Sequence, residues 1–244
     1  LSDSSFTDNT ATNQTGGAVF LKNESAVISG CTFNDNSAYH HGGAVRIQTT
    51  SITDAIAVSI SSCSFDTNSA GAAGYGYGGS IFLDTWSSGY GGFATTISDT
   101  SITNSTASIG GGVYGVSSSD PASVLFTNCT LSGNTADYAS EDAAIGMAGS
   151  GMVMSMASCT ACDHAYGYEI DGDVSDLGGN DLGGWCCPGD VDDDWDVDTD
   201  DLLHIISETW GDTGTEDVQD DVDRDGVVAV SDLIHVLRNW GSCD

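Results

Sequence analysis

The stretch "DVDDDWDVDTDD" (190–201) carries eight aspartates in twelve residues, and thirty-one residues on "DVDRDGVVAVSD" (221–232) repeats its spacing. Clustered carboxylates repel unless a cation lies between them. A twelve-residue calcium loop takes oxygens from positions 1, 3, 5, 7, 9 and 12. In the first stretch these are Asp190, Asp192, Asp194, Asp196 by its backbone carbonyl, Asp198 and Asp201. In the second they are Asp221, Asp223, Asp225, Val227 by its carbonyl, Ala229 through water at best, and Asp232. The pattern predicts two Ca²⁺ sites. An acidic solvated run is the plainer alternative, but such runs rarely recur at ligand spacing. Position 6, where the chain turns left-handed, is Gly226 in the second loop and Trp195 in the first. A bulky residue there costs about 1 kcal/mol or more.

Each loop leads into a short amphipathic run, "DLLHIISETWG" or "DLIHVLRNWG". Leu202, Ile205, Ile206 and Leu233, Val236, Leu237 recur at helical spacing. His204 and His235 occupy matching positions and read as surface or packing residues rather than metal ligands. A duplicated EF-hand-type loop plus helix, with no entering helix, resembles the dockerin domain over about residues 188–242. That resemblance implies attachment to a cohesin-like protein.

The residues ahead of the loops are organised differently. "SSFTDNTA" (4–11), "CTFNDNSA" (31–38), "CSFDTNSA" (63–70), "TSITNSTA" (100–107) and "CTLSGNTA" (129–136) alternate with "GGAVF" (16–20), "GGAVRI" (42–47), "GGSIFL" (78–83), "GGVY" (111–114) and a decayed "DAAIGM" (142–147). Phe6, Phe33, Phe65, Ile102 and Leu131 follow one another at intervals of 27, 32, 37 and 29 residues, as insertions at one loop would produce. A unit this small cannot bury its own apolar face, but stacked copies can. The expectation is a mainly β chain: a right-handed parallel β-helix of about five to six coils over 1–185, about three strands per coil. A small α-helical dockerin-like domain follows over 186–244.

Three inward stacks are predicted: Phe6/Phe33/Phe65/Ile102/Leu131, Ile28/Ile60/Ile97/Phe126 and Val19/Val45/Ile81/Val113/Ile145. Asn9, Asn36, Asn68 and Asn134 fall three residues after the first stack, and Asn side chains can bond coil to coil. The glycine pairs suit corners with positive φ. The F-x-x-N and G-G-A-[VIL] motifs resemble the repeats of polymorphic outer-membrane proteins and related β-helix surface proteins. The likeness covers about residues 1–165 and implies adhesive or passenger roles.

Four Lys+Arg against 36 Asp+Glu give a net charge of −32. Such a chain repels phosphate, which argues against nucleic acid and anionic membrane as partners. The apolar stretch 143–161 is too weak for a membrane span. The chain begins inside a repeat with no leader ahead of it and reads as a mature secreted or cell-surface stretch. Four sequons, at Asn13, Asn23, Asn104 and Asn128, are candidate glycosylation sites.

Eight cysteines suit an oxidising compartment. Cys31, Cys63 and Cys129 share one repeat position and read first as a buried ladder; a Cys31–Cys63 bridge is an alternative. Cys186 or Cys187 could bridge to Cys243 and clasp the tail, with Cys159 or Cys162 pairing with the cysteine left over.

Lys22 and Arg46 are the sole bases ahead of the tail, at different repeat positions with no evident acidic groove. Asp35, Asp54, Asp66, Asp84 and Asp99 read as turn residues. No nucleophile or zinc-hydrolase motif appears. The chain is therefore expected to be no enzyme but a structural or adhesive protein. Its calcium-loaded tail would mediate attachment or self-association, the latter extending to filaments. Glycan binding or cleavage by the β-helix is the alternative.

Overall fold

The computed structural model describes residues 1–50, 55–71, 75–85, 92–117, 122–137, 144–149, 151–162, 174–182, 189, 191, 196–211, 213, 222, 226–238 and 240–242. The chain divides into two compact units, Leu1–Gly183 and Gly184–Asp244.

The first unit is a parallel β-solenoid. Four sheets run along it, of seven, six, five and five strands, each strand pairing with its copy one coil away. Each coil contributes four strands rather than three. The extra one is a two-residue strand such as Ser37–Ala38 or Ser69–Ala70. Two residues carry no readable alternation, which is why the sequence hides it.

The inward stacks form as the repeats predict. Phe6 pairs in register with Phe33 and Phe33 with Phe65. Their rings stack 4.8 and 4.6 Å apart, within 6° of parallel. Ile28, Ile60, Ile97 and Phe126 form a second column that Met156 continues. Val19, Val45, Ile81, Val113 and Ile145 form the third.

Between the columns runs a buried asparagine ladder. Asn36 Nδ2 donates to Asn68 Oδ1 at 3.0 Å, and Asn36 N donates to the same oxygen at 3.0 Å. Asn68 Nδ2 in turn donates to Phe33 O at 2.9 Å and Ser80 Oγ at 3.1 Å. Ser105 takes the place of an asparagine in the fourth coil, and its hydroxyl meets Ser80 Oγ at 2.8 Å.

The glycine pairs do two jobs. The first of each pair (Gly16, Gly42, Gly78) sits at φ between +64 and +68°. The second cannot bear a side chain: a Cβ on Gly43 would lie 2.1 Å from Gly79 O.

Among its described residues the second unit holds two helices, α1 (Thr199–His204, continued by a π-turn over Ile205–Thr209) and α2 (Val230–Arg238). Its core is Val191, Val197, Ile205, Val228 and Val236, with Leu202, Val222 and Leu233 packed against it. These eight form four pairs, each 31 residues apart, so the duplication governs packing as well as spacing. Ile206 and Leu237, which share the helical spacing of the core residues, are 53 % and 56 % exposed.

Candidate functional site

Two places bring chemistry-bearing side chains together. In the tail, Asp201 and Asp232, the last ligand position of each loop, are buried carboxylates. Asp201 Oδ1 accepts from Val191 N at 2.5 Å and Oδ2 from Asp198 N at 2.6 Å, which ties the loop's start to its helix. Asp232 Oδ2 accepts from Ala229 N at 2.7 Å, the equivalent of the second contact. Asp198 caps α1, its carboxylate accepting from Asp200 N at 2.7 Å. Gly226, at position 6, has φ +87°, the left-handed turn a calcium loop needs there.

These features fit Ca²⁺: bound at that position, the ion would supply positive charge to otherwise repelling carboxylates. Asp190, Asp192, Asp194, Asp221, Asp223, Asp225 and Trp195 lie outside the described residues, as does the side chain of Asp196. Among the described residues no group of three or more His, Cys, Asp or Glu forms a metal cluster.

The two halves of the tail exchange their ends. Asp196–Val197, positions 7 and 8 of the first loop, pair antiparallel with Gly241–Ser242, which follows α2. Val227, position 7 of the second loop, bridges to Thr213, and Gly211 N donates to Val228 O at 2.9 Å, both beyond α1. Asp201 lies nine residues before Trp210, but Asp232 only eight before Trp240. The π-turn absorbs that one-residue excess, so both Trp-Gly ends leave their helices in phase.

The second place lies on the outward face of the solenoid, on the sheet made of Val19–Lys22, Val45–Thr49, Ile81–Thr85, Val113–Ser117 and Ile145–Ala148. Register lines up Phe20, Arg46, Phe82 and Tyr114 in one row and Lys22, Gln48, Asp84 and Val116 in the next. Lys22 and Arg46 occupy different repeat positions, as the sequence implies, Lys22 pairing with Gln48 and Arg46 with Phe20 on the same face. Asp84, expected in a turn, instead sits mid-sheet in register with Gln48. The strand Ile81–Thr85 is buried at all five positions, so no apolar–polar alternation marks Asp84 as a strand residue in the sequence.

Asp84 is 2 % exposed and ion-paired with Arg46, the one salt bridge among the described residues. Gln48 Nε2 donates to the same oxygen, Asp84 Oδ2, at 2.8 Å. Arg46 Nη1 donates to Thr15 Oγ1 at 2.8 Å. The guanidinium lies over two rings, 5.5 Å from the Phe20 centroid and 5.3 Å from that of Phe82. Three buried polar atoms here have no partner: Asp84 Oδ1, Arg46 Nε and His41 Nδ1. The His41 ring packs 4.9 Å from both Tyr77 and Phe82. Burial, reinforced by the positive charge of Arg46, holds its pKa down at about 4.

Of the other turn aspartates, Asp35 and Asp99 do sit at positive-φ corners, while Asp66 ends a strand and Asp54 lies outside the described residues. The four sequon asparagines are all exposed. Asn23, Asn104 and Asn128 also bond to the neighbouring coil, through Thr50, Asp66 and Asp99.

Cys31, Cys63, Cys129 and Cys159 are buried free thiols. The Cys31–Cys63 bridge is therefore not formed; the ladder of small side chains is, with Thr100 completing it, as Cys63 N donates to Cys63's neighbour Thr100 Oγ1 at 3.3 Å. Cys159 belongs to that ladder rather than to a bridge. A hydrogen bond from Cys129 holds its thiol down at about 7 and pushes that of Cys129 up. Cys162 is disulfide-bonded. Cys186, Cys187 and Cys243 lie outside the described residues.

The repeat of the Chlamydia polymorphic membrane protein family matches residues 30–48. That span holds the F-x-x-N corner, the glycine pair and Arg46 of the second coil. No curated protein and no solved structure matches the chain. The solenoid is thus a parallel β-helix carrying a repeat of the kind found in that membrane-protein family.

Proposed function

We propose that this is a non-enzymatic surface or extracellular protein, a β-helix displayed by a calcium-loaded, dockerin-like tail that docks on another protein. One observation carries the docking role. The tail exposes matched apolar side chains on both helices: Leu203 with Ile234, Ile206 with Leu237, Trp210 with Trp240, each between 43 % and 56 % exposed. Apolar positions duplicated and left outside suit recognition rather than folding.

The occupant is a foreign protein with a basic rim rather than a second copy. Residues 184–244 hold 18 acids against two bases, so tails of two copies repel. A cohesin-like receptor fits that description. The matched repeat supports placement at a cell surface. Binding is favoured over catalysis because Asp84 is neutralised by Arg46, whereas glycoside hydrolysis needs two carboxylates in concert.

Light scattering coupled to gel filtration, in millimolar Ca²⁺ and in EDTA, tests the docking reading. A monomer in both is the expected result. A large species in Ca²⁺ that dissociates in EDTA would replace it with calcium-dependent self-assembly into filaments.

A further inference from the structure

One corner of the solenoid carries nucleophiles that the docking role leaves unused. Cys31, Cys63, Thr100, Cys129, Cys159 and Asn180 occupy it in successive coils. Backbone N–H groups there donate to the side chain one coil on: Cys31 N to Cys63 Sγ and Cys129 N to Cys159 Sγ, both at 3.4 Å, and Cys159 N to Asn180 Oδ1 at 2.8 Å. Thr100 divides the thiols into two pairs, so no cysteine of the column has two thiol neighbours. Asn128 and Ser158, just ahead of Cys129 and Cys159, hold φ of +51 and +54°, which turns both side chains inward in the same sense. Thr130 pairs in register with Thr160. Cys129 and Cys159 are therefore one strand spacing apart, about 4.8 Å, within the Cα separation of roughly 4.4–6.8 Å that a disulfide spans.

The two pairs differ chemically. The Cys129 thiol hydrogen-bonds the sulfur of Cys159 and so favours the thiolate there. A stabilised thiolate beside a second thiol is the arrangement of an attacking and a resolving cysteine. In the other pair, burial pushes the Cys63 thiol up and disfavours its thiolate. Cys162, three residues beyond Cys159, is already disulfide-bonded and does not compete for it. Cys129 and Cys159 are 2 % and 1 % exposed, so a bulky reagent is shut out. The coil that covers Cys159 is held by the strands Ser175–Asp176 and Asp181–Leu182, two residues each. Local opening of so thin a coil admits a molecule little larger than water.

We propose that Cys129 and Cys159 are a peroxide-reactive pair that closes into a disulfide between neighbouring coils. The Cys159 thiolate attacks one oxygen of hydrogen peroxide. The O–O bond breaks, and the departing hydroxide takes up the proton that Cys159 released, forming water and leaving Cys159 as a sulfenic acid. The Cys129 sulfur then attacks that of Cys159. The S–O bond breaks, and the second hydroxide leaves as water with the proton of Cys129. Two thiols are oxidised by two electrons, one peroxide is reduced, and one S–S bond is made. The bond ties together two coils whose hold on each other is otherwise non-covalent, so it resists fraying from that end. The chemistry belongs to the solenoid and does not depend on what the tail binds.

The full chain, prepared under nitrogen in millimolar calcium, would be treated with hydrogen peroxide, alkylated with iodoacetamide in denaturant and mapped by mass spectrometry of its peptides. The expected result is loss of the free thiols of Cys129 and Cys159, recovered as one disulfide-linked peptide pair, while Cys31 and Cys63 are still alkylated. Cys129→Ser should halt the reaction at the sulfenic acid of Cys159, trapped by dimedone. Cys159→Ser should leave Cys129 unreacted, and its hydroxyl oxygen still offers Cys129 N an acceptor. Circular dichroism checks that both variants fold; where one does not, the map of the unaltered chain decides. Cys129 and Cys159 both alkylated after peroxide, oxidation spread evenly over the four thiols of the column, or Cys129 reacting undiminished in Cys159→Ser would each overturn the proposal.

Discussion

The solenoid and the tail solve the same problem, duplicated sequence in search of a core, with opposite resources. The solenoid stacks its repeats, so every coil finds the previous coil's phenylalanine, isoleucine and asparagine waiting in register. Its stability is close to a sum over neighbours. The tail has only two copies, and among its described residues the core is eight aliphatic side chains. A small unit with so little to bury needs a staple, and half of the chain's acids are concentrated in it. Repetition stabilises the first unit from within; on the calcium reading proposed above, the second would draw on an ion from outside.

The widest expected gap between the two is their response to chelation. On the proposed calcium reading, removing Ca²⁺ should unfold the tail and leave the solenoid intact, because a small metal-stapled unit couples binding to folding. Trp185, Trp195, Trp210 and Trp240, four of the five tryptophans, lie in the tail. EDTA should therefore shift tryptophan fluorescence to the exposed range while the β-sheet circular dichroism persists. Loss of both signals together would show that the units do not differ in this way.

Next in size is a break inside the solenoid. Asn68→Ala strands Asn36 N and Phe33 O in a dry interior, at a cost of about 3 kcal/mol. Urea unfolding should show the drop in the solenoid's transition and none in the tail's.

Trp195→Gly acts on the tail alone. It gives the first loop the residue that Gly226 supplies to the second at φ +87°. Relief of about 1 kcal/mol should tighten one calcium site roughly fivefold, read by calorimetry.

The smallest effect concerns His41, which faces Arg46, His40 and Asp84. Its imidazole titrates near 6.5 unfolded and about 4 folded, so the folded state binds fewer protons in between. That contribution is complete above pH 6.5 and is lost as the pH falls through about 4. The solenoid's melting temperature should decline slightly from pH 6.5 to 5, and His41→Gln should flatten the decline.

The stacks were readable because a solenoid writes its core once per coil. Phe33, Phe65 and Leu131 announce one another. The Arg46–Asp84 pair was unreadable for the opposite reason: it occurs once, on two strands 36 or more residues apart in effect, and no repeat points to it. Cross-strand register alone brings Phe20, Arg46 and Phe82 into a row. In the tail, the repeated aspartate spacing points to two loops, and helical periodicity marks the two helices without telling which apolar residues face in. Two short helices have too little partner surface to cover more than one narrow stripe each, and Ile205 and Val236 take it. The exchange of Trp-Gly ends escaped notice because pairing between halves leaves no local signature.

Positions 7 and 8 of each proposed loop are held by the segment leaving the other half's helix. On the calcium reading proposed above, that exchange couples the two loops: occupancy of one should raise the affinity of its twin by reciprocal linkage, and a calcium titration should follow a single steep step with a Hill coefficient above one.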